Sequence, residues 1–146
     1  MNDNVILLVE DNPDDALLTR EAIESKGIAN KVVHVRDGVE ALDYLFCRGE
    51  YADRNIKELP ALTLLDINMP RLGGLDVIKA VRENEHTANI PIVVLTTSTE
   101  ESDLVKSYNL GTNSFVKKPV DFNEFSEAIN MLGIYWLLLN KIPGRE

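Results

Sequence analysis

A doubly wound α/β domain on a five-stranded parallel sheet is the fold class this sequence predicts, and two observations predict it. Five short segments rich in Val, Ile and Leu recur along the chain, at residues 5–9, 32–35, 62–65, 92–95 and 114–116. Three of them are nearly continuous apolar runs, as expected of strands buried on both faces of a parallel sheet. Stretches of helical pattern lie between them, so five strands alternate with five helices. A chain of 146 residues suits one such domain with a core of its own.

The first apolar run, VILLV, stops abruptly at Glu10 and Asp11. Asn12-Pro13 then has the layout of an N-cap followed by proline at the first helical position. Leu18 and Ala22 share a face of that helix, and Gly27 ends it. The strand at 32–35 leads into a helix over 38–46. The polar stretch CRGEYADRNIKELP, residues 47–60, reads as a long connection, mobile in part. The remaining strands lead into helices over 75–82, 100–110 and 122–132. Ser98-x-x-Glu101 and Asp121-x-x-Glu124 both resemble helix starts in which the cap and the third residue satisfy free N–H groups. No internal repeat, low-complexity tract or linker interrupts the pattern.

Composition removes several function classes. No stretch approaches the roughly 20 apolar residues of a membrane span, and no signal-peptide layout opens the chain. The lone Cys47 excludes an internal disulfide and reads as a small, partly buried hydrophobe in a reducing, cytoplasmic setting. A net charge of −9 argues against nucleic acid as a partner, because phosphate contacts need a positive surface.

In a doubly wound sheet, ligands sit beyond the carboxyl ends of the strands. Glu10 and Asp11 follow the first strand, Asp66 ends the third, Thr96 the fourth and Lys118 the fifth. Three acids, a hydroxyl and an amine therefore converge on one edge. Adjacent acids repel unless a cation sits between them, and three carboxylates suit a hard oxygen-seeking ion such as Mg²⁺. Such an ion lets an anionic phosphoryl donor approach an anionic nucleophile. A carboxylate can be that nucleophile, forming an acyl phosphate. Lys118 supplies a fixed positive charge, and Thr96 a hydrogen bond to a phosphoryl oxygen.

The motifs VEDNP, LLDINMPRLGG, VVLTTS and FVKKP, in this order and spacing, resemble the receiver domain of two-component response regulators. The resemblance spans about residues 4–132. It implies a flavodoxin-like sheet of strand order 2-1-3-4-5, with a receiver domain over 1–132 and a C-terminal extension over 133–146. It also implies that Asp66 is the phosphoacceptor and Asp11 a direct Mg²⁺ ligand, with Glu10 holding the metal through water and Asn68 contributing its backbone carbonyl. Lys118 would pair with the phosphoryl group. Thr96 would move toward it, and Phe115 would turn inward into the space vacated. Pro119 would follow a cis peptide bond. Such a protein is a phosphoacceptor that assists its own phosphorylation and dephosphorylation, not a turnover enzyme.

This chain departs from the family pattern in places. Glu10 stands where Asp is more frequent, and its extra methylene favours water-mediated contact with the metal. Thr97 is bulkier than the common Ala or Ser, and is expected to slow both phosphorylation and hydrolysis. Phe115 lacks a hydroxyl, so its switch would read as packing. His34 and His86 are isolated and lack metal-ligand spacing, so both read as structural or solvated.

No output module follows the receiver pattern in this sequence, so the signal is expected to leave through a surface. Phe125, Ile129, Leu132 and Trp136 form a stripe at helical spacing. If Gly133 ends the helix, Ile134, Tyr135, Trp136, Leu137, Leu138 and Leu139 form an extended arm that is apolar on both faces. An uncovered arm of this kind invites pairing, and a homodimer is expected. The long connection and this tail resemble the single-domain response regulators of bacterial phytochrome histidine kinases, which implies a bilin-binding kinase as the phosphate source.

Three rival readings remain. A flavodoxin-type electron carrier would need a phosphate-cradling first loop, whereas this one is acidic. A phosphatase with an aspartyl nucleophile would carry a second Asp where Asn68 stands. A protein-binding module with a vestigial pocket would show no phosphoryl transfer even with Mg²⁺.

Overall fold

The structure is a computed structural model that describes residues 5–24, 28, 30–67, 69, 71–96, 114–118 and 120–133. Five strands, β1 (Ile6–Val9), β2 (Val32–Val35), β3 (Leu62–Asp66), β4 (Ile92–Thr96) and β5 (Ser114–Lys117), form one sheet in the order β2-β1-β3-β4-β5. Every neighbouring pair is parallel. The helices among the described residues are α1 (Pro13–Glu24), α2 (Gly38–Phe46), α3 (Gly74–Glu83) and α4 (Phe122–Met131), with a short 3₁₀ turn at Gly49–Tyr51. The helix expected over 100–110 and its Ser98–Glu101 start lie outside the described residues.

Period-two alternation divides each strand between two cores. Ile6, Leu8, Leu62 and Leu64 face α1 and α4, where Ile23, Phe125 and Ile129 cover them. Leu7, Val9, Leu65 and Val94 face α2 and α3, under Leu45, Ile78 and Val81. The central strands β1, β3 and β4 are buried along their full length, so their sequences are apolar on both faces. Phe125 is fully buried, which contributes about 2 kcal/mol and pins α4 to the sheet.

Asn12 caps α1, its Oδ1 accepting from the N–H of Asp14 at 2.9 Å and of Asp15 at 3.1 Å. The buried face of α1 is Ala16, Thr19 and Ile23, while Leu18 is 49% exposed and Ala22 half-buried. The stripe expected from Leu18 and Ala22 is thus rotated, because Ala16 and Thr19 carry a weaker apolar signal than the outward-facing Leu17 and Leu18. Asp121 caps α4 by accepting from Asn123 N–H. Glu124 accepts instead from the N–H of Lys117, at 3.2 Å, tying α4 to the end of β5. Gly133 follows the helix with φ of 78°, the left-handed stop that glycine provides.

The connection over 47–60 carries a 3₁₀ turn and its own side-chain contacts. Arg54 lies over the Tyr44 ring, 3.9 Å from its centroid, and donates to the carbonyls of Tyr44 and Glu58. Tyr51 packs edge-on against Tyr44 and donates to Glu40 Oε2 at 2.7 Å. Polar side chains order this loop, so hydrophobic periodicity does not reveal it. Cys47 is a free, half-buried thiol at the end of α2. No helix among the described residues is long and apolar enough to cross a membrane.

Candidate metal and phosphoryl-acceptor site

The site is assembled by ladder bonds that run one residue past the strands. Glu10 N–H donates to Val35 C=O at 3.0 Å, Ile67 N–H to Leu95 C=O at 3.2 Å, and Lys118 N–H to Thr96 C=O at 3.0 Å. The backbones carrying Glu10, Asp66, Thr96 and Lys118 are therefore rigid where the side chains leave the sheet. The β3–β4 register sets Asp66 opposite Leu95, and the β4–β5 register sets Thr96 opposite Lys117.

Carboxylate oxygens of Glu10, Asp11 and Asp66 lie within 4.8 Å of one another. Glu10 is fully buried, Asp66 is 4% exposed and Asp11 is open to solvent. Lys118 Nζ stands 2.9 Å from Glu10 Oε1, 3.0 Å from Asp15 Oδ2 and 3.3 Å from Asp66 Oδ2. Burial by itself pulls the Lys118 ammonium down. The hydrogen bonds to Glu10 and Asp15, with the charge of Asp66, outweigh it and hold the pKa above the ordinary lysine range. The other Glu10 oxygen accepts from Asn12 N–H at 3.2 Å, so both ends of this buried carboxylate are satisfied.

Thr96 is buried at the strand end, and Phe115 is half-buried against the core under α2 and α3. Asn68, Thr97, Pro119 and the arm Ile134, Tyr135, Trp136, Leu137, Leu138 and Leu139 lie outside the described residues.

Two residues that sequence reading did not place at the site belong to it. Asp15, in the first turn of α1, is the third carboxylate on Lys118; its place in the run EDNPDD is the only signal it carries. His34, read as an isolated structural histidine, has Nε2 at 2.8 Å from the Glu10 carbonyl oxygen. Facing an acceptor, that nitrogen is the donor, which fixes the proton on Nε2. The β1–β2 register, with Leu8 opposite His34, puts the ring there. A groove of about 500 Å³ opens beside Asp11 and is lined by Pro13, Leu17, Arg20, His34 and Arg36. Two arginines at its wall favour the approach of an anion despite the acidic chain.

The donor set is oxygen-only, charged and open to solvent at Asp11, which fits a hard divalent cation. One lysine against four carboxylates leaves net negative charge for such an ion to offset.

The profile of the response regulator receiver domain matches residues 6–130. Among relatives, the Probable methanogenesis regulatory protein FilR2 of Methanothrix harundinacea is 37% identical over 96% of this chain and 88% of its own. Response regulator Rcp1 of Synechocystis is 34% identical, over 96% and 93%. Among solved structures, the bacteriophytochrome response regulator AtBRR is 50% identical, with TM-score 0.84, over 97% of this chain and 100% of that one. The Mn²⁺-bound form of Rcp1 gives TM-score 0.76 at 34% identity, over 96% and 97%. The phosphorylated cyanobacterial phytochrome response regulator RcpA gives 0.77 at 35% identity, over 98% and 100%.

Proposed function

This chain belongs to the response regulator receiver domain family, and from that premise we propose that it takes a phosphoryl group from a histidine kinase onto Asp66. The observation that carries the reading is the set of Glu10, Asp11 and Asp66 facing the buried Lys118 at one sheet edge. Mg²⁺ would be held by Glu10, Asp11, Asp66 and the backbone carbonyl of Asn68. When bound, the ion neutralises oxygens on both the acceptor and the incoming phosphoryl group.

The chain's own residues do the rest. An Asp66 oxygen attacks phosphorus, the N–P bond of the phosphohistidine breaks, and its electron pair returns to the imidazole. Lys118 pairs with the transferred group, exchanging part of its contact with Asp66 for phosphoryl oxygens. Thr96 moves to donate a hydrogen bond to that group, and Phe115 turns into the space left behind. Asn68, in place of an acid, leaves no general acid/base for rapid hydrolysis, so the protein signals and does not turn over substrate.

The 50% identity to a bacteriophytochrome response regulator supports a phytochrome-type kinase as the source. The stop at Gly133 supports an independent C-terminal extension, which we take as the dimer arm. If the chain truncated before Gly133 remained dimeric in sedimentation, the arm would have no part in assembly.

Intact mass after incubation with a small phosphoryl donor tests the central claim. One added phosphoryl group is expected with Mg²⁺, none without it, and none on Asp66→Asn. A folded protein without an adduct at any time point, from rapid quench onward, would favour the protein-binding module.

A further inference from the structure

We propose that His34 is a positioning residue for the cation site, holding the peptide that joins Glu10 to Asp11. The inference rests on the proposed function, because it concerns how two of the three acids of that site are aimed.

β2 is an edge strand, paired with β1 as far as Val35 opposite Val9. One more rung, from Glu10 N–H to Val35 C=O at 3.0 Å, carries the ladder past the strand ends. The residues that follow Val35 serve α2 instead. Arg36 N–H donates to Glu40 Oε1 at 2.9 Å, and Asp37 Oδ1 accepts from Glu40 N–H at 2.8 Å to cap the helix. The next rung of a parallel ladder would bring Asp37 N–H to Glu10 C=O. Glu10 is a fully buried residue, and its carbonyl is met by the His34 ring in place of that rung, with Nε2 at 2.8 Å.

Asp11 needs this anchor more than the Glu10 side chain does. Both Glu10 carboxylate oxygens are held, by Lys118 Nζ at 2.9 Å and by Asn12 N–H at 3.2 Å. Among the described residues, no hydrogen bond or ion pair holds the Asp11 side chain. It nevertheless stands within 4.8 Å of two like charges, Glu10 and Asp66. Its place in the cluster is therefore set by its own backbone. A peptide is planar, so fixing the Glu10 carbonyl fixes the Asp11 N–H and the direction in which the chain leaves. His34 and Asp11 line the same groove. Without the ring, water in that groove would take the carbonyl, the peptide would turn to meet it, and Asp11 would relax away from the other acids. Removing an outer contact that orients a ligand weakens metal binding, here by about tenfold.

Calorimetric titration of the unphosphorylated full chain with Mg²⁺ tests this on two variants. His34→Met keeps the length of the side chain and has no donor; His34→Leu takes its place if that chain does not fold. His34→Gln carries an amide N–H donor at a similar reach. The donor-free variant should bind Mg²⁺ about tenfold more weakly, and His34→Gln should recover most of the affinity. A donor-free variant with a lower melting temperature but unchanged Mg²⁺ affinity would make the histidine merely structural and overturn the proposal. Equal losses of affinity in both variants would overturn it as well, because the donor would then be irrelevant. A wild-type chain without Mg²⁺ affinity would overturn the proposed function itself, which the wild-type titration alone reveals.

Discussion

Lys118 Nζ lies 2.9 Å from Glu10 Oε1, joining the ends of β5 and β1 across 108 residues of sequence. The same ammonium also stands 3.0 Å from Asp15 Oδ2 and 3.3 Å from Asp66 Oδ2, so it serves three acids at once. Its removal should therefore be felt first as lost stability. Lys118→Met would leave the fully buried Glu10 carboxylate unpaired, which costs about 3 kcal/mol. Urea denaturation should show that loss without Mg²⁺, and a larger Mg²⁺-induced gain in the variant than in wild type.

Asp11 makes the opposite case. It is the exposed member of the acid cluster, and neutralising it relieves like-charge repulsion. Asp11→Asn should raise the Mg²⁺-free melting temperature slightly, by roughly 1–3 °C. The same variant should lose the further rise that Mg²⁺ produces in wild type. Differential scanning calorimetry with and without Mg²⁺ reads both effects.

Gly74→Ala tests how closely α3 seats on the acceptor strand. The added Cβ would meet Asp66 C=O at 2.7 Å and Ile67 Cα at 2.8 Å, both of them backbone atoms that cannot swing away. Overpacking of this kind costs about 1–3 kcal/mol. Because the displaced backbone carries Asp66, the yield of adduct in the intact-mass assay should fall with stability.

Tyr51 sets a limit at alkaline pH. Burial, and then its hydrogen bond and charge interaction with Glu40, push the phenol above the ordinary value of 10.0. The folded chain therefore holds the proton more tightly than the unfolded chain. The contribution is complete below about pH 10 and declines as pH rises past it, because only the unfolded chain gains by ionising. Wild type should lose stability above pH 10 more steeply than Tyr51→Phe. Tyrosinate absorbance should show one fewer late-titrating group in the variant.

Much of the fold is legible in the residues themselves. The run over 5–9 must be buried on both faces, and the helix layers, α1 and α4 on one side and α2 and α3 on the other, are how that happens. The helix over 38–46 matches α2 because Asp37 caps it and Gly38 begins it. Legibility fails where polar side chains organise the chain. Arg54, Tyr44 and Tyr51 order the connection after α2 through stacking and hydrogen bonds that no periodicity encodes. It fails again on α1, where the small Ala16 and polar Thr19 are buried and Leu18 is exposed.

The sequence by itself determined the alternation of strands and helices and the chemical types at the strand ends. Both follow from local pattern, because strand direction alone sends Glu10, Asp66, Thr96 and Lys118 to one edge. Only the tertiary structure decided which groups meet there. It chose Asp15 as the third partner of Lys118 and His34 as the donor to Glu10. Hydrogen bonds and ion pairs are selected by distances of about 3 Å. Such distances between remote elements exist only once the sheet register and the helix packing have formed.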